Sequence, residues 1–338
     1  MKEINENARK LMKGYCRVCP ECNGKACAGE VPGMGGLGTA SAFKENMNAL
    51  HAIQFNMRLI HDVSEPDTAI SLLGQQMALP LLAAPIGGVS FNMGGQVSEQ
   101  AYIRAIVRGC KEKGIMGCTG DGVPDFIHET GLAEIQAIGG HGIAFIKPWA
   151  DKELFEKIQK VRDTGADIMG IDIDAAGLIT LKQMGRPVFP RGIEKLREII
   201  QRSSMKFILK GVMTVKDANA AVEAGADAIV VSNHGGRVFE FTPGAASVLP
   251  AIADAVKGQV AILADGGVRS GGDVLKLLAL GADVVMIGRP FCVAAVGGLQ
   301  TGVESYIDKI RTELEQAMVL TGVKKASQVP GNIIFQSA

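Results

Sequence analysis

The sequence carries no surplus charge of either sign. Lys plus Arg and Asp plus Glu stand at 35 each in 338 residues, so the formal net charge is zero. No basic patch is seen, which argues against a nucleic-acid partner. No stretch approaches ~20 uninterrupted apolar residues, so no membrane span is expected. The opening MKEINENARKLMKGY is charged and lacks an apolar h-region, so it is no signal peptide and a cytoplasmic protein is expected. The seven cysteines are an odd number, and four of them cluster between Cys16 and Cys27. That argues for reduced thiols or a metal site over a disulfide framework.

What the chain has in quantity is glycine, 43 residues, which suits tight βα turns and close backbone approach to a ligand. The length accommodates one large α/β barrel or two smaller domains. From residue 81 on, short apolar runs alternate with helical patterns. The runs predict strands at Leu81–Ala84, Ile115–Cys118, Ile143–Lys147, Ile168–Ile173, Phe207–Lys210, Ala228–Ser232, Ala261–Ala264 and Val284–Ile287. Between them the spacing predicts helices at Ser98–Lys113, Asp151–Thr164, Ile193–Arg202, Val215–Ala224, Ala245–Lys257 and Gly272–Leu280. Eight successive units point to a closed (β/α)8 TIM barrel, an α/β fold, over a doubly wound open sheet. Two units look alike, EAGADAIVVSNHGGR at 223–237 and ALGADVVMIGRP at 279–290, as in a barrel of repeated units. Residues 1–80 form an N-terminal extension, 81–338 the barrel, and Val303–Leu320 a closing helix.

Ligands of such barrels bind at the C-terminal strand ends. The most informative end is Val230-Val-Ser-Asn-His-Gly-Gly-Arg237. His234 offers an imidazole as a base, and Arg237 a fixed guanidinium for a carboxylate. Other strand ends supply Ala84-Pro85-Ile86-Gly87, Thr119, Lys147, Asp172 and Lys210 as candidate cofactor contacts. The last two ends carry Gly266, Gly267 and Arg269, then Gly288 and Arg289. Their backbone N–H groups and guanidiniums are suited to cradle a phosphate. Asp172 and Asp174 alternate along one strand and share a face, either as a charge network or as a second acid–base group.

The stretch Lys210–Pro290 resembles the FMN-dependent α-hydroxy acid oxidases and dehydrogenases, which include glycolate oxidase and lactate oxidase. The matching elements are Leu209-Lys210-Gly211, Ser232-Asn233-His234-Gly235-Gly236-Arg237, Asp265-Gly266-Gly267-Val268-Arg269-Ser270-Gly271 and Ile287-Gly288-Arg289. The resemblance implies FMN as cofactor, a small anionic substrate and a homo-oligomer, often a tetramer. It implies His234 as the catalytic base, Arg237 as the carboxylate clamp and Lys210 beside flavin N1 and O2. By the same resemblance Asp265 orients the histidine, Arg269, Gly288 and Arg289 hold the phosphate, and Ala84–Gly87 lie on the flavin edge. Ser232, Asp265 and Asp172 belong to the same expected flavin surround.

The departures are equally specific. Where the family has a substrate-contacting tyrosine after strand 3, this chain has Phe145-Ile146-Lys147-Pro148-Trp149. Where it has a threonine and an arginine around strand 4, this chain has Gly170 and Ile179, and the lid that follows is short. Gly87 stands where many oxidases carry alanine, so an acceptor other than oxygen is one implication. The sequence therefore predicts flavin redox chemistry on an anionic α-hydroxy compound. The alternatives are a non-redox flavoenzyme similar to the FMN-dependent isopentenyl diphosphate isomerase, and a non-catalytic flavin-binding protein. Outside the resemblance, Cys16, Cys19, Cys22 and Cys27 have spacing that fits one zinc ion or an iron–sulfur cluster, with free or redox-active thiols as the other reading.

Overall fold

Each apolar run becomes a strand because both of its faces find cover. The computed structural model describes residues 1–336. Helices α1 (Lys2–Leu11) and α2 (Ser41–Ala52) and an antiparallel hairpin, β1 (Ile70–Leu72) with β2 (Gln75–Met77), come first. Eight parallel strands follow, β3 (Leu81–Ala83), β4 (Met116–Thr119), β5 (Ile143–Ile146), β6 (Ile168–Asp172), β7 (Lys206–Val212), β8 (Ala228–Val231), β9 (Ala261–Ala264) and β10 (Val284–Ile287). They pair in sequence order, and β10 pairs with both β9 and β3. The barrel is closed, as expected; an open doubly wound sheet would leave two free edges.

The helices are α3 (Val89–Asn92), α4 (Glu99–Glu112), α5 (Phe126–Ala137), α6 (Asp151–Arg162), α7 (Ile179–Gln183), α8 (Ile193–Ser203), α9 (Val215–Ala224), α10 (Ala245–Val256), α11 (Gly271–Ala279) and α12 (Arg289–Thr321). Helix α5 has apolar residues spread around it, so periodicity does not single it out. The expected helix at 303–320 is the second half of α12, which opens at Arg289 and is broken at Leu299. Pro290 suits that opening, since the first helical turn needs no N–H from it.

Caps in the sequence set the helix starts beside the site. Thr214 accepts from Asp217 N at the start of α9, and Ser270 with Asp273 forms a capping box on α11. The repeated Gly-Ala-Asp is structural. Asp227 accepts the backbone N–H of Phe207, and Asp283 accepts that of Ile262, each tying a strand entrance to its neighbour. The extension is no loose arm: Ala8, Met12 and Leu50 share one core with the barrel strands. Among the described residues no helix is long and apolar enough to cross a membrane.

Candidate active site

A cavity of about 330 Å³ opens at the C-terminal ends of the strands. Its wall includes Ala84, Pro85, Ile86, Gly87, Lys147, Asp172, Lys210, His234, Arg237, Asp265, Gly266, Gly267, Arg269, Gly288 and Arg289, all expected from the sequence. Two expected contacts are not in the wall. Thr119 packs outward: a Cβ on Gly131 of α5 would lie 2.9 Å from its hydroxyl. Ser232 is wholly buried beneath the histidine loop and braces it.

The loop after β8 turns left-handed through His234 (φ 57), Gly235 (φ 63) and Gly236 (φ 75). A positive φ is ordinary for glycine but strained for histidine, by of order 1–3 kcal/mol. Packing holds it there. The backbone N–H of His234 donates to Ser232 Oγ at 3.1 Å, and that hydroxyl donates to Asp265 Oδ2 at 2.8 Å. Behind the loop, Asn46 of α2 donates to Asn233 Oδ1 at 2.7 Å, inside the core.

The acid that touches the histidine ring is Asp174, whose Oδ1 lies 3.0 Å from His234 Nδ1. This corrects the expectation for Asp265, which makes no hydrogen bond to the ring and braces the loop by way of Ser232. Asp174 occupies the turn after β6, and Gly211 in a bulge of β7 leaves the room it needs. Burial raises the Asp174 carboxyl, but His234, Lys210 and Lys147 outweigh it and hold the group below its ordinary value. With Nδ1 committed to Asp174, Nε2 is the ring nitrogen left for a proton.

Lys210 Nζ lies 3.0 Å from Asp172 Oδ1, both side chains almost fully buried. Burial alone would discharge this lysine; Asp172, Asp174 and Asp265 instead hold its pKa above the ordinary range. The Asp265 carboxyl is pushed up by burial, which Lys210 and Ser232 only partly offset, and its Oδ1 has no hydrogen-bond partner.

Three arginines meet across the cavity with no carboxylate among the described residues within salt-bridge distance. Arg237 donates to Gly33 O at 2.6 Å, Gly35 O at 3.1 Å and Asn92 Oδ1 at 3.0 Å. Arg289 donates to Met34 O at 2.7 Å and to Gly35 O and Gly235 O at 3.0 Å, and stacks 3.8 Å from the Phe43 ring centroid. Arg269 donates to Cys22 O and Val268 O. Burial, then Arg237 and Arg269, pull Arg289 down to about 9. Half-buried guanidiniums with no carboxylate partner, at the start of α12 and beside Gly266, Gly267 and Gly288, fit the phosphate of FMN.

A second polar cluster, which the sequence reading missed, lies after β4. Asp121 accepts from Lys157 Nζ at 2.9 Å, Gly122 N at 2.8 Å, Lys147 N at 3.0 Å and Trp149 Nε1 at 2.5 Å. The signal was present in Gly120-Asp121-Gly122 at a strand end, but apart from Gly122 its partners are 26–36 residues away.

The four clustered cysteines do not fit the expected metal centre. Cys16 lies within electrostatic reach of Cys19, Cys22 and Cys27, yet no three of these sulfurs fall within 4.8 Å of one another. The segment uses backbone groups instead, as Cys22 O does on Arg269. All seven cysteines are free thiols.

The sequence matches the FMN-dependent dehydrogenase family over residues 33–187 and 180–336. The chain belongs to this family. It is an oxidoreductase and a flavoenzyme whose cofactor is FMN. The match begins after the cysteine segment. The chain is 28% identical over 334 residues to a 4-hydroxymandelate oxidase of Amycolatopsis orientalis, covering 85% of this chain and 88% of that protein. It is 50% identical over 127 residues to an L-lactate dehydrogenase of Xanthomonas campestris pv. campestris, a match spanning 38% of this chain and 33% of that one. A solved mandelate oxidase variant with 2-hydroxy-phenylacetamide superposes at a TM-score of 0.80 and 26% identity, covering 99% of this chain and 97% of the other. Another variant, with benzoyl-formic acid, also gives 0.80 and 26%, over 98% and 97%.

Proposed function

We propose that this flavoenzyme oxidises a 2-hydroxy acid to the 2-oxo acid, with His234 as the base and Arg237 as the carboxylate clamp. The observation that carries it is His234 and Arg237 facing one cavity, the histidine backed by Asp174 at 3.0 Å. Among the described residues, Arg237 Nε–H and one Nη2–H have no hydrogen-bond partner, which leaves donors for a carboxylate. The substrate proton goes to His234 Nε2. Asp174, ionised at neutral pH, fixes the ring and offsets the positive charge that the proton brings. When bound, FMN supplies the acceptor for the two electrons and the remaining proton lost from the CH–OH unit. Lys210, kept charged by Asp172, contributes a buried positive charge at the flavin pocket.

The side chain of the substrate meets apolar surface from Phe91, Val123, Ile127, Leu178, Leu181 and Met184. That supports a 2-hydroxy acid with an aryl or branched apolar group, the type named in the mandelate oxidase relatives. The seven free thiols support a reducing compartment such as the cytoplasm. The test is product identification: FMN-loaded protein, an electron-accepting dye, and mandelate or lactate. Benzoylformate from mandelate, formed faster than pyruvate from lactate, is expected. Failure to form an oxo acid from either would overturn the reading.

A further inference from the structure

The guanidinium of Arg237 is held by a side chain from another loop. Its Nη1 donates to the backbone oxygens of Gly33 at 2.6 Å and Gly35 at 3.1 Å, and its Nη2 donates to Asn92 Oδ1 at 3.0 Å. Among the described residues Asn92 is the one side chain that hydrogen-bonds this guanidinium. It ends the single turn of α3 and lies in the cavity wall.

The Asn92 amide is used at both ends. Nδ2 donates to Gly87 O at 3.2 Å, and Oδ1 also faces Gly33 N at 3.5 Å. The partners fix which end is oxygen, because Arg237 and the Gly33 N–H only donate and Gly87 O only accepts. One amide thus ties the loop after β8, which carries Arg237, to the loop after β3, which carries Gly87. Closing its own turn through Gly87 O is a local reason for an asparagine, but it gives Oδ1 nothing to do. Arg237, 145 residues away in the chain, does.

Charge separates an amide from an acid at this position. An aspartate has the same shape and would accept from Arg237 more strongly. It would also neutralise the guanidinium, so a substrate carboxylate would compete with one already in place. The amide fixes the fork and leaves its charge uncompensated.

We propose that Asn92 is a positioning residue: it holds Arg237 toward the substrate and, being neutral, keeps the clamp's charge for the substrate's anionic group. This rests on the 2-hydroxy acid reading of the site.

Equilibrium binding tests it without turnover. Benzoylformate and its neutral amide, neither of which can reduce the flavin, are titrated into FMN-loaded wild type, Asn92→Ala and Asn92→Asp. Binding is followed by the flavin spectrum or by calorimetry, with a thermal melt of each protein. Asn92→Ala is expected to weaken benzoylformate about 5- to 13-fold, the loss of one ordinary hydrogen bond. Asn92→Asp, which keeps the acceptor and adds the charge, should weaken it about 10- to 150-fold, the range for a hydrogen bond to a charged group. The neutral amide should stay within about threefold in both, since it brings no charge to the clamp. A residue that only closed the α3 turn would shift acid and amide together. Equal weakening of the two ligands, unchanged acid binding in Asn92→Ala, tighter acid binding in Asn92→Asp than in Asn92→Ala, or loss of fold or of FMN in both variants would each overturn the proposal. Wild type that binds no benzoylformate would overturn the 2-hydroxy acid reading and the proposal with it. The expected order of binding in a wild type that oxidises no hydroxy acid would count against the catalytic reading alone.

Discussion

Replacing Gly211 by alanine disturbs the catalytic histidine without touching it. Gly211 sits in the bulge between Lys210 and Val212 at φ +108. A Cβ there would lie 2.7 Å from both Cβ and Cγ of Asp174 and 3.0 Å from its backbone nitrogen. These are the root of the side chain and the main chain, so no simple rotamer change relieves the contact. The backbone strain costs of order 1–3 kcal/mol. Asp174 must shift as well, and the 3.0 Å bond to His234 is lost or lengthened. A hydrogen bond of this charge-assisted kind contributes about 1.5–3 kcal/mol. At ~1.4 kcal/mol per decade, complete loss slows substrate-driven flavin reduction by roughly 10- to 150-fold. Gly211→Ala should therefore approach Asp174→Asn in rate and melt at a lower temperature than wild type. Both should retain FMN, because Arg269 and Arg289 are untouched. Stopped-flow reduction under anaerobic conditions at saturating substrate, with a thermal melt beside it, makes the comparison. A wild-type reduction rate in Asp174→Asn, or in a Gly211→Ala protein whose melting temperature has fallen, would refute the positioning role of Asp174.

Arg289→Ala should weaken FMN retention by about 1.5–3 kcal/mol, measured by dialysis against free FMN, and Arg289→Lys should restore only part, since a point charge replaces a fork. Thr119→Val should leave FMN affinity unchanged, because that side chain faces α5; a measured loss would return Thr119 to the cofactor site. His128 is buried, its Nε2 lacks a partner, and burial pushes its pKa down from 6.5 to about 4. A folded-state pKa below the unfolded value gives stability that is present above pH 6.5 and lost as the pH falls toward 4, about 3 kcal/mol in all. Denaturant titrations across that window should show the slope in wild type and a flatter one in His128→Leu.

The barrel was legible because its signals are local. Apolar runs such as Val284–Ile287, glycine turns, and the caps Thr214 and Ser270 each act within a few residues. The His234–Arg237 loop and the arginines after β9 and β10 were legible for the same reason: their residue types sit next to one another in the chain. What stayed hidden depends on distant packing. Arg237 and Arg289 are held by carbonyls of residues 33–35, some 200–255 residues away. The partner of His234 is decided by the bulge at Gly211, which lets Asp174 reach the ring that Asp265 had been expected to orient. Cysteine spacing likewise says where thiols fall along the chain, not whether the backbone turns their sulfurs toward one point.

The central claim is that His234 is the base that lets a 2-hydroxy acid reduce the bound flavin. Anaerobic addition of mandelate to FMN-loaded wild type and His234→Ala tests it in one cuvette each. The oxidised flavin spectrum of wild type should bleach, while His234→Ala, with FMN still bound, should bleach about 10²–10⁴-fold more slowly. Equal rates in the two proteins would contradict the account.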